Sequence, residues 1–294
     1  MGTEDYNESA ANLDMLPTIE MVRIMNEEDK KVAFAIEKVI SDIARAIDII
    51  VERFKLGGRL IYVGSGTSGR LGILDAAECY PTFGVPPDMV KAIIAGGEKA
   101  ITFPVEYAED DIVQGREEIK AIGVSERDVV VGITASGTTP FVIGALEEAH
   151  RLGASTILIT NNYGSSVKSI VDVAIEIDTG PEVIAGSTRL KAGTSQKMVL
   201  NMLSTLSMVR LGKVYGNIMV DLKPTNKKLV NRAVSIIRKI TGVSEEIALA
   251  WLKECDMNVK EAIVSIVGNL PPSESKEILK KCNGYLRKAL EQVS

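Results

Sequence analysis

One histidine and three cysteines are all that this 294-residue chain offers of the side chains most often used for metal binding or nucleophilic attack. The histidine, His150, falls near the end of an apparent helix over 140–152, where a positive charge suits the C-terminal end of the helix dipole. With the single histidine in that role, neither a His-based zinc site nor a serine–histidine triad is expected. Cys79, Cys255 and Cys282 are far apart and none forms a CxxC pair, so neither a disulfide framework nor a thiolate zinc site is encoded, and the three read as packing residues. Cys79 also adjoins Glu78 and so could line a pocket beside it.

Long apolar runs are missing too. None reaches the ~20 residues that span a bilayer, and the acidic start Met1-Gly2-Thr3-Glu4-Asp5-Tyr6 has no signal core, so a cytoplasmic protein without a membrane partner is expected. The formal net charge is −5 and no basic stripe is present, which argues against nucleic acid as a partner. An anionic ligand would therefore depend on local donors.

What the chain does have is 46% hydrophobic residues in alternating patterns, enough for one large core and a small second domain. From about residue 28 to 56, Val32, Ala35, Ile36, Val39, Ile43, Ala46, Ile47, Ile50, Val51 and Phe54 recur in steps of three and four, which predicts one long amphipathic helix. Five short apolar runs follow, at 59–63, 90–94, 128–133, 155–160 and 172–177, with helical patterns over 110–121 and 140–152 between them. Near-continuous apolar strands alternating with helices predict a parallel sheet covered on both faces, an α/β fold with its ligand beyond the carboxyl ends of the strands. A Met-rich helix is expected over 190–211, as core or as a surface packed on a second subunit, and a connecting segment over 217–225. From Asn226 onward every pattern is helical. The domains read as 1–225 and 226–294.

Two loops carry the chemistry. Gly64-Ser65-Gly66-Thr67-Ser68-Gly69 follows the first strand, opens a helix and fits G-x-G-x-x-G. The acidic residue that should close the second strand in a dinucleotide fold is absent, and Arg70-Leu71 stands where a P-loop needs Lys-Ser/Thr. Glycines that admit an anion, hydroxyls at Ser65, Thr67 and Ser68, and a helix N-terminus suit a phosphate monoester instead. Thr134-Ala135-Ser136-Gly137-Thr138-Thr139-Pro140 repeats the design after the third strand. Downstream of the first loop come two carboxyl groups, Glu78 and Glu109, beside a bound sugar phosphate a means of acid/base chemistry. Taken alone, each also reads as an ordinary solvated or helix-terminal charge.

With those residues in view, the chain resembles the sugar isomerase (SIS) phosphosugar-binding domain. The stretches 64–79, 94–98, 108–110, 135–140 and 186–194 are similar to N-acetylmuramic acid 6-phosphate etherases, and the resemblance covers nearly the whole chain. It implies a SIS-type five-stranded parallel sheet flanked by helices, a small C-terminal helical unit that looks UBA-like over 241–264, and a homodimer without metal or organic cofactor. The implied activity is a lyase reaction in cell-wall sugar recycling. The D-lactyl ether of N-acetylmuramic acid 6-phosphate is cleaved by elimination and hydration, giving N-acetylglucosamine 6-phosphate and D-lactate. Glu78 and Glu109 then occupy the acid/base positions, Glu78 acting at the C3 oxygen and Glu109 at C2 or the incoming water. Thr67, Ser68, Ser136 and Thr139 match phosphate-holding positions, Ser187 and Thr188 a sugar-contacting turn, and Ser65 is expected to bind substrate beside them. Lys191, with Arg189, reads equally as positive charge offered to the phosphate or the lactyl carboxylate and as a surface group on the next helix. Two other readings stand beside this one: a non-catalytic phosphosugar-binding regulator of the glucokinase-regulatory type, and a sugar-phosphate isomerase.

Overall fold

The computed structural model describes residues 2–222 and 224–293. The chain runs α1 (Thr18–Glu37), α2 (Ile40–Lys55), β1 (Leu60–Gly64), α3 (Gly66–Phe83), β2 (Val90–Ile94), α4 (Lys99–Thr102), α5 (Ile112–Ala121), β3 (Val129–Thr134), α6 (Pro140–Arg151), β4 (Ser155–Thr160), β5 (Val173–Glu176) and α7 (Lys191–Arg210). A two-rung hairpin, β6 (Val214–Tyr215) and β7 (Ile218–Met219), leads into α8 (Lys227–Thr241), α9 (Glu245–Glu254), α10 (Val259–Gly268), α11 (Pro272–Lys281) and α12 (Leu286–Leu290).

Two compact units result, one of residues 1–78 and 86–206, the other of 79–85 and 207–294. In the first, five parallel strands form a sheet in the order β2-β1-β3-β4-β5. Every residue of β1, β3 and β4 is buried, as a strand covered on both faces requires, whereas the edge strands β2 and β5 are only partly buried. One face packs on Phe141, Val142, Ala145, Leu146 and Ala149 of α6 together with Ile119 of α5. These two helices meet backbone to side: a Cβ on Gly115 would lie 2.0 Å from the Phe141 carbonyl, and one on Gly144 2.1 Å from that of Ile112. The chain leaves β1 toward β2 on one side and β3 lies on the other, so the crevice beyond β1 and β3 is the topological switch point.

The segment 28–56 departs from its expected single helix. α1 begins earlier, at Thr18 after Pro17, and ends at Glu37; Val39 (φ −117°, ψ 15°) breaks the ladder before α2. The apolar face stays in step across this break, through Val32, Ala35, Ile36, Val39 and Ile43, so periodicity had no means of revealing it. The expected connector over 217–225 likewise holds β7 of the small hairpin.

In the second unit α8–α12 surround a core of Ala233, Ile237, Ala248, Leu252, Ala262, Ile263 and Leu286, among others. Side chains of Asn226, Ser244 and Asn258 cap α8, α9 and α10 by accepting from Leu229, Ile247 and Glu261 N–H, which fixes the start of each helix. All three cysteines are buried, as packing residues should be.

Candidate active site

The site is built on the glycines that end β1 and open α3. A Cβ on Gly64 would lie 2.7 Å from Gly69 N, and one on Gly69 2.6 Å from Ile94 Cγ1 and 2.8 Å from Gly64 O, so strand and helix meet at a spacing that admits no side chain. Between them Gly66 takes φ +50°, the left-handed conformation that turns the chain into α3. G-x-G-x-x-G here is thus a packing and turning device that presents Ser65, Thr67 and Ser68 at the sheet's carboxyl edge.

Ser65, Thr67 and Ser68 line a cavity of about 490 Å³ together with Thr134, Ser136, Thr138, Thr139, Thr188 and Glu109. Thr134 Oγ1 lies 2.7 Å from Thr139 Oγ1 and 3.3 Å from Ser136 Oγ, and Ser136 Oγ accepts from Thr138 N–H at 3.1 Å. The hydroxyls of the second loop are therefore held as one cluster. Thr139 is the N-cap residue of α6 yet forms no side-chain capping bond, and Pro140 fills the first helical position. Glu4, Glu109 and Asp110 also line the cavity, while among the described residues no lysine or arginine does. An anion held here would be gripped by hydroxyls, backbone N–H groups and the positive ends of α3 and α6.

Ser68 is fixed from behind. Its Oγ donates to Gln196 Oε1 at 2.8 Å, Gln196 Nε2 donates to Asn161 Oδ1 at 3.0 Å, and Asn161 Nδ2 donates to Ser195 Oγ at 2.7 Å. All four residues are buried. Within such a chain the Ser68 hydroxyl proton points to Gln196, so toward the cavity its oxygen is an acceptor.

Glu109 lies in a single 3-10 turn, Ala108–Asp110, ahead of α5, and accepts from Ser65 Oγ at 3.1 Å. The task of capping α5 falls to Asp111, whose carboxylate accepts from Gln114 N–H at 2.8 Å. Tyr107, immediately before the turn, adopts φ 61°, a conformation costly for a residue with a Cβ, and it aims the turn at Ser65. Glu109 is thus an exposed carboxylate with one hydroxyl donor and no helix-capping duty.

Three expected residues lie elsewhere. Glu78 is exposed on α3, twelve residues past Gly66, which at 1.5 Å per residue is about 18 Å along the axis from the loop, and it does not line the Glu109 cavity of its own chain. Ser187 is half-buried in the turn before α7 but does not line the cavity, although its neighbour Thr188 does. Lys191 is 1% exposed, with Nζ 2.6 Å from Glu28 Oε2, so its charge is spent inside the fold and none is turned to the cavity. Burial pushes the Glu28 carboxyl up, but hydrogen bonds from Lys191 and Lys31 outweigh that and hold it below the usual carboxylate range. Arg189 is exposed. Glu182, fully buried, accepts from Lys191 and Ala192 N–H at 3.0 and 2.9 Å and so anchors the start of α7; burial raises its carboxyl above the ordinary value.

Sequence reasoning missed Glu4, which carries no motif. Thr3 brings it to the cavity: Thr3 N–H donates to Asn162 Oδ1, and Gly186 N–H to Thr3 O. A second cavity of about 470 Å³ in the helical unit, lined by Lys213, Asp221, Asp256 and Asn258, is a weaker candidate, because Asp221 is already paired with Lys213 and Lys260 at 2.7 Å each. Among the described residues no group of three or more His, Cys, Asp or Glu is placed to hold a metal ion.

A parallel sheet with hydroxyl-rich loops at its switch point defines a SIS phosphosugar-binding fold. Residues 115–206 match the SIS domain, 42–150 the N-terminal SIS domain of glucokinase regulatory protein, and 216–281 the C-terminal lid domain of that protein. A phosphoheptose isomerase from Francisella tularensis superimposes with a TM-score of 0.50 at 15% identity, over 66% of this chain and all of that one. Much closer in sequence is an N-acetylmuramic acid 6-phosphate etherase of Caldanaerobacter subterraneus subsp. tengcongensis, 53% identical over 98% of this chain and 94% of that protein. An Escherichia coli SMS-3-5 protein of the same name is 52% identical over 99% and 98%. The chain belongs to the N-acetylmuramic acid 6-phosphate etherase family.

Proposed function

We propose that this protein cleaves the D-lactyl ether of N-acetylmuramic acid 6-phosphate, releasing D-lactate and N-acetylglucosamine 6-phosphate. The observation that carries this reading is the Glu109 carboxylate on the rim of a hydroxyl-lined cavity, in a chain about half identical to named etherases along its whole length. The phosphate lies against the hydroxyls of Ser65, Thr67, Ser136 and Thr139 and the backbone N–H of Ser68, whose own hydroxyl is committed to Gln196, and Thr188 meets the sugar. Ser187 acts through the turn that carries Thr188, and Lys191 positions the start of α7.

An alkyl ether at a sugar carbon has a poor leaving group, so elimination is the easier route. In the open-chain aldehyde the C2 proton is acidic. A base removes it while an acid protonates the departing C3 oxygen, leaving a 2,3-unsaturated aldehyde and lactate. Water then adds its hydroxyl to C3 and a proton to C2. Glu109 handles C2 and the water; Glu78 handles the C3 oxygen.

Because Glu78 is remote from the Glu109 cavity of its own chain, we infer that it serves the cavity of a second copy in a homodimer. Exposed apolar side chains support this: Ile19 and Val22 on the first half of α1, where nothing is buried before Glu28, and Leu74, one helical turn before Glu78 on α3. The reading also assigns the catalytic part to residues 1–225 and the helical part to 226–294, although the compact units divide earlier, at Ser207. A cytoplasmic setting and independence of metal and organic cofactors belong to the same proposal.

Incubation with N-acetylmuramic acid 6-phosphate in H₂¹⁸O tests it. Label at the C3 hydroxyl of the sugar is expected; label only in lactate overturns the carbon–oxygen cleavage. The matches to glucokinase regulatory protein favour a second reading, a phosphosugar sensor, which predicts sugar binding with no lactate release at all.

A further inference from the structure

A smaller cavity of about 260 Å³ adjoins the first, with Ser65, Gly66 and Glu109 common to the walls of both. Its size is below the about 300–1,000 Å³ typical of sites for drug-sized ligands, so it fits a substituent and not a second sugar. Alanine, proline and valine side chains, Ala95, Ala100, Pro104 and Val105, form an apolar wall. Arg70 is the one cation among the described residues that line it, and the carboxyl-bearing residues Glu106 and Glu109 line it too.

Arg70 is also poised. Its Nε donates to the Ile101 carbonyl at 2.9 Å, which fixes the plane of the guanidinium, and among the described residues the group makes no ion pair. A half-buried, oriented guanidinium with free N–H groups is matched by a carboxylate, which it binds through two parallel hydrogen bonds. The position follows from the sequence. Gly69 packs α3 onto Ile94 of β2, and Arg70 lines the cavity with Ala95 and Ala100 and bonds Ile101, all in the segment that follows β2.

We propose that this 260 Å³ cavity is a carboxylate subsite, in which Arg70 receives the acid group of the substituent to be expelled and the apolar wall receives its methyl group. The inference rests on the etherase reading for the identity of that substituent, a lactyl group. Phosphate in the hydroxyl cavity and carboxylate on Arg70 then place the sugar's reacting carbons against the shared wall, at Glu109. Arg70 is a specificity determinant: it separates ethers that carry an acid from those that do not.

The test uses the full chain with Glu109→Gln, so that the ether survives, with or without Arg70→Gln or Arg70→Lys. Calorimetry compares N-acetylmuramic acid 6-phosphate with N-acetylglucosamine 6-phosphate, which has the phosphate and the acetamide but no carboxylate. Arg70→Gln is expected to weaken the first by roughly 10- to 100-fold, the range of a hydrogen bond to a charged group, and the second by less than about twofold. Arg70→Lys should recover part of the loss. Equal weakening of both ligands, or none of either, overturns the subsite. Retained binding of N-acetylglucosamine 6-phosphate shows that the variant is folded. Lactate release by the unaltered protein is measured separately: its absence sinks the etherase reading, whereas the two-ligand comparison decides Arg70 on its own.

Discussion

Two carboxylates and one lysine show how residue type and residue position part company. Glu109→Gln should lower the rate of lactate release by about 10²- to 10⁴-fold, the usual worth of a general acid or base, and should abolish solvent-deuterium exchange at C2. Exchange at the normal rate would remove Glu109 from that step. Lys191, by contrast, should answer to a stability measurement. Replacing it by Met leaves the buried Glu28 with only the exposed Lys31 as an ionic partner, a loss of up to about 3–5 kcal/mol in chemical denaturation. The pH dependence has a definite sign. The Glu28 carboxyl is depressed in the folded state, so the pair's contribution is present above the ordinary carboxylate value and disappears as pH falls through the depressed one. The difference between the wild type and Lys191→Met should therefore shrink in acid; a difference independent of pH would contradict the pairing. The hydroxyl loops were legible in the sequence because glycine and threonine at strand ends have few other uses. Lys191 was not, since one lysine beside a binding turn looks the same whether its partner is a phosphate or a glutamate 163 residues away. Arg70 was visible only as a departure from the P-loop pattern.

Among the elements, the β1–α3 junction sets the site. Gly69→Ala drives a methyl to 2.6 Å from Ile94 and 2.8 Å from the Gly64 carbonyl, and overpacking of that kind costs about 1–3 kcal/mol while shifting Thr67 and Ser68. Gly66→Ala meets open space and bears only the left-handed backbone penalty, about 1–2 kcal/mol. Phosphosugar affinity should thus fall further for Gly69→Ala than for Gly66→Ala; the reverse order would mean that the junction's spacing does not control the loop. The five strands could be read directly because buried parallel strands are runs of Val, Ile and Leu. Their order, and with it the switch point between β1 and β3, could not, because pairing partners leave no local mark. The α1–α2 break stayed hidden for the opposite reason: one apolar face serves both helices.

For the molecule as a whole, the proposed pairing of Glu78 with Glu109 requires more than one chain at each reaction centre. Phe34 is 66% exposed and Val22 57% exposed on α1. The double change Val22→Glu, Phe34→Glu should yield a monomer in light scattering, with phosphosugar binding kept and lactate release lost; a dimer that remains active would move the interface elsewhere. The most direct measurement mixes two inactive proteins. Glu78→Gln and Glu109→Gln chains are combined, allowed to exchange subunits, and assayed for lactate. If Glu78 of one copy works on the sugar held beside Glu109 of the other, half of the dimers are mixed and each has one intact site, so about a quarter of wild-type activity returns. If the mixture stays as inactive as its parents after subunit exchange is verified, the two glutamates do not meet across the dimer.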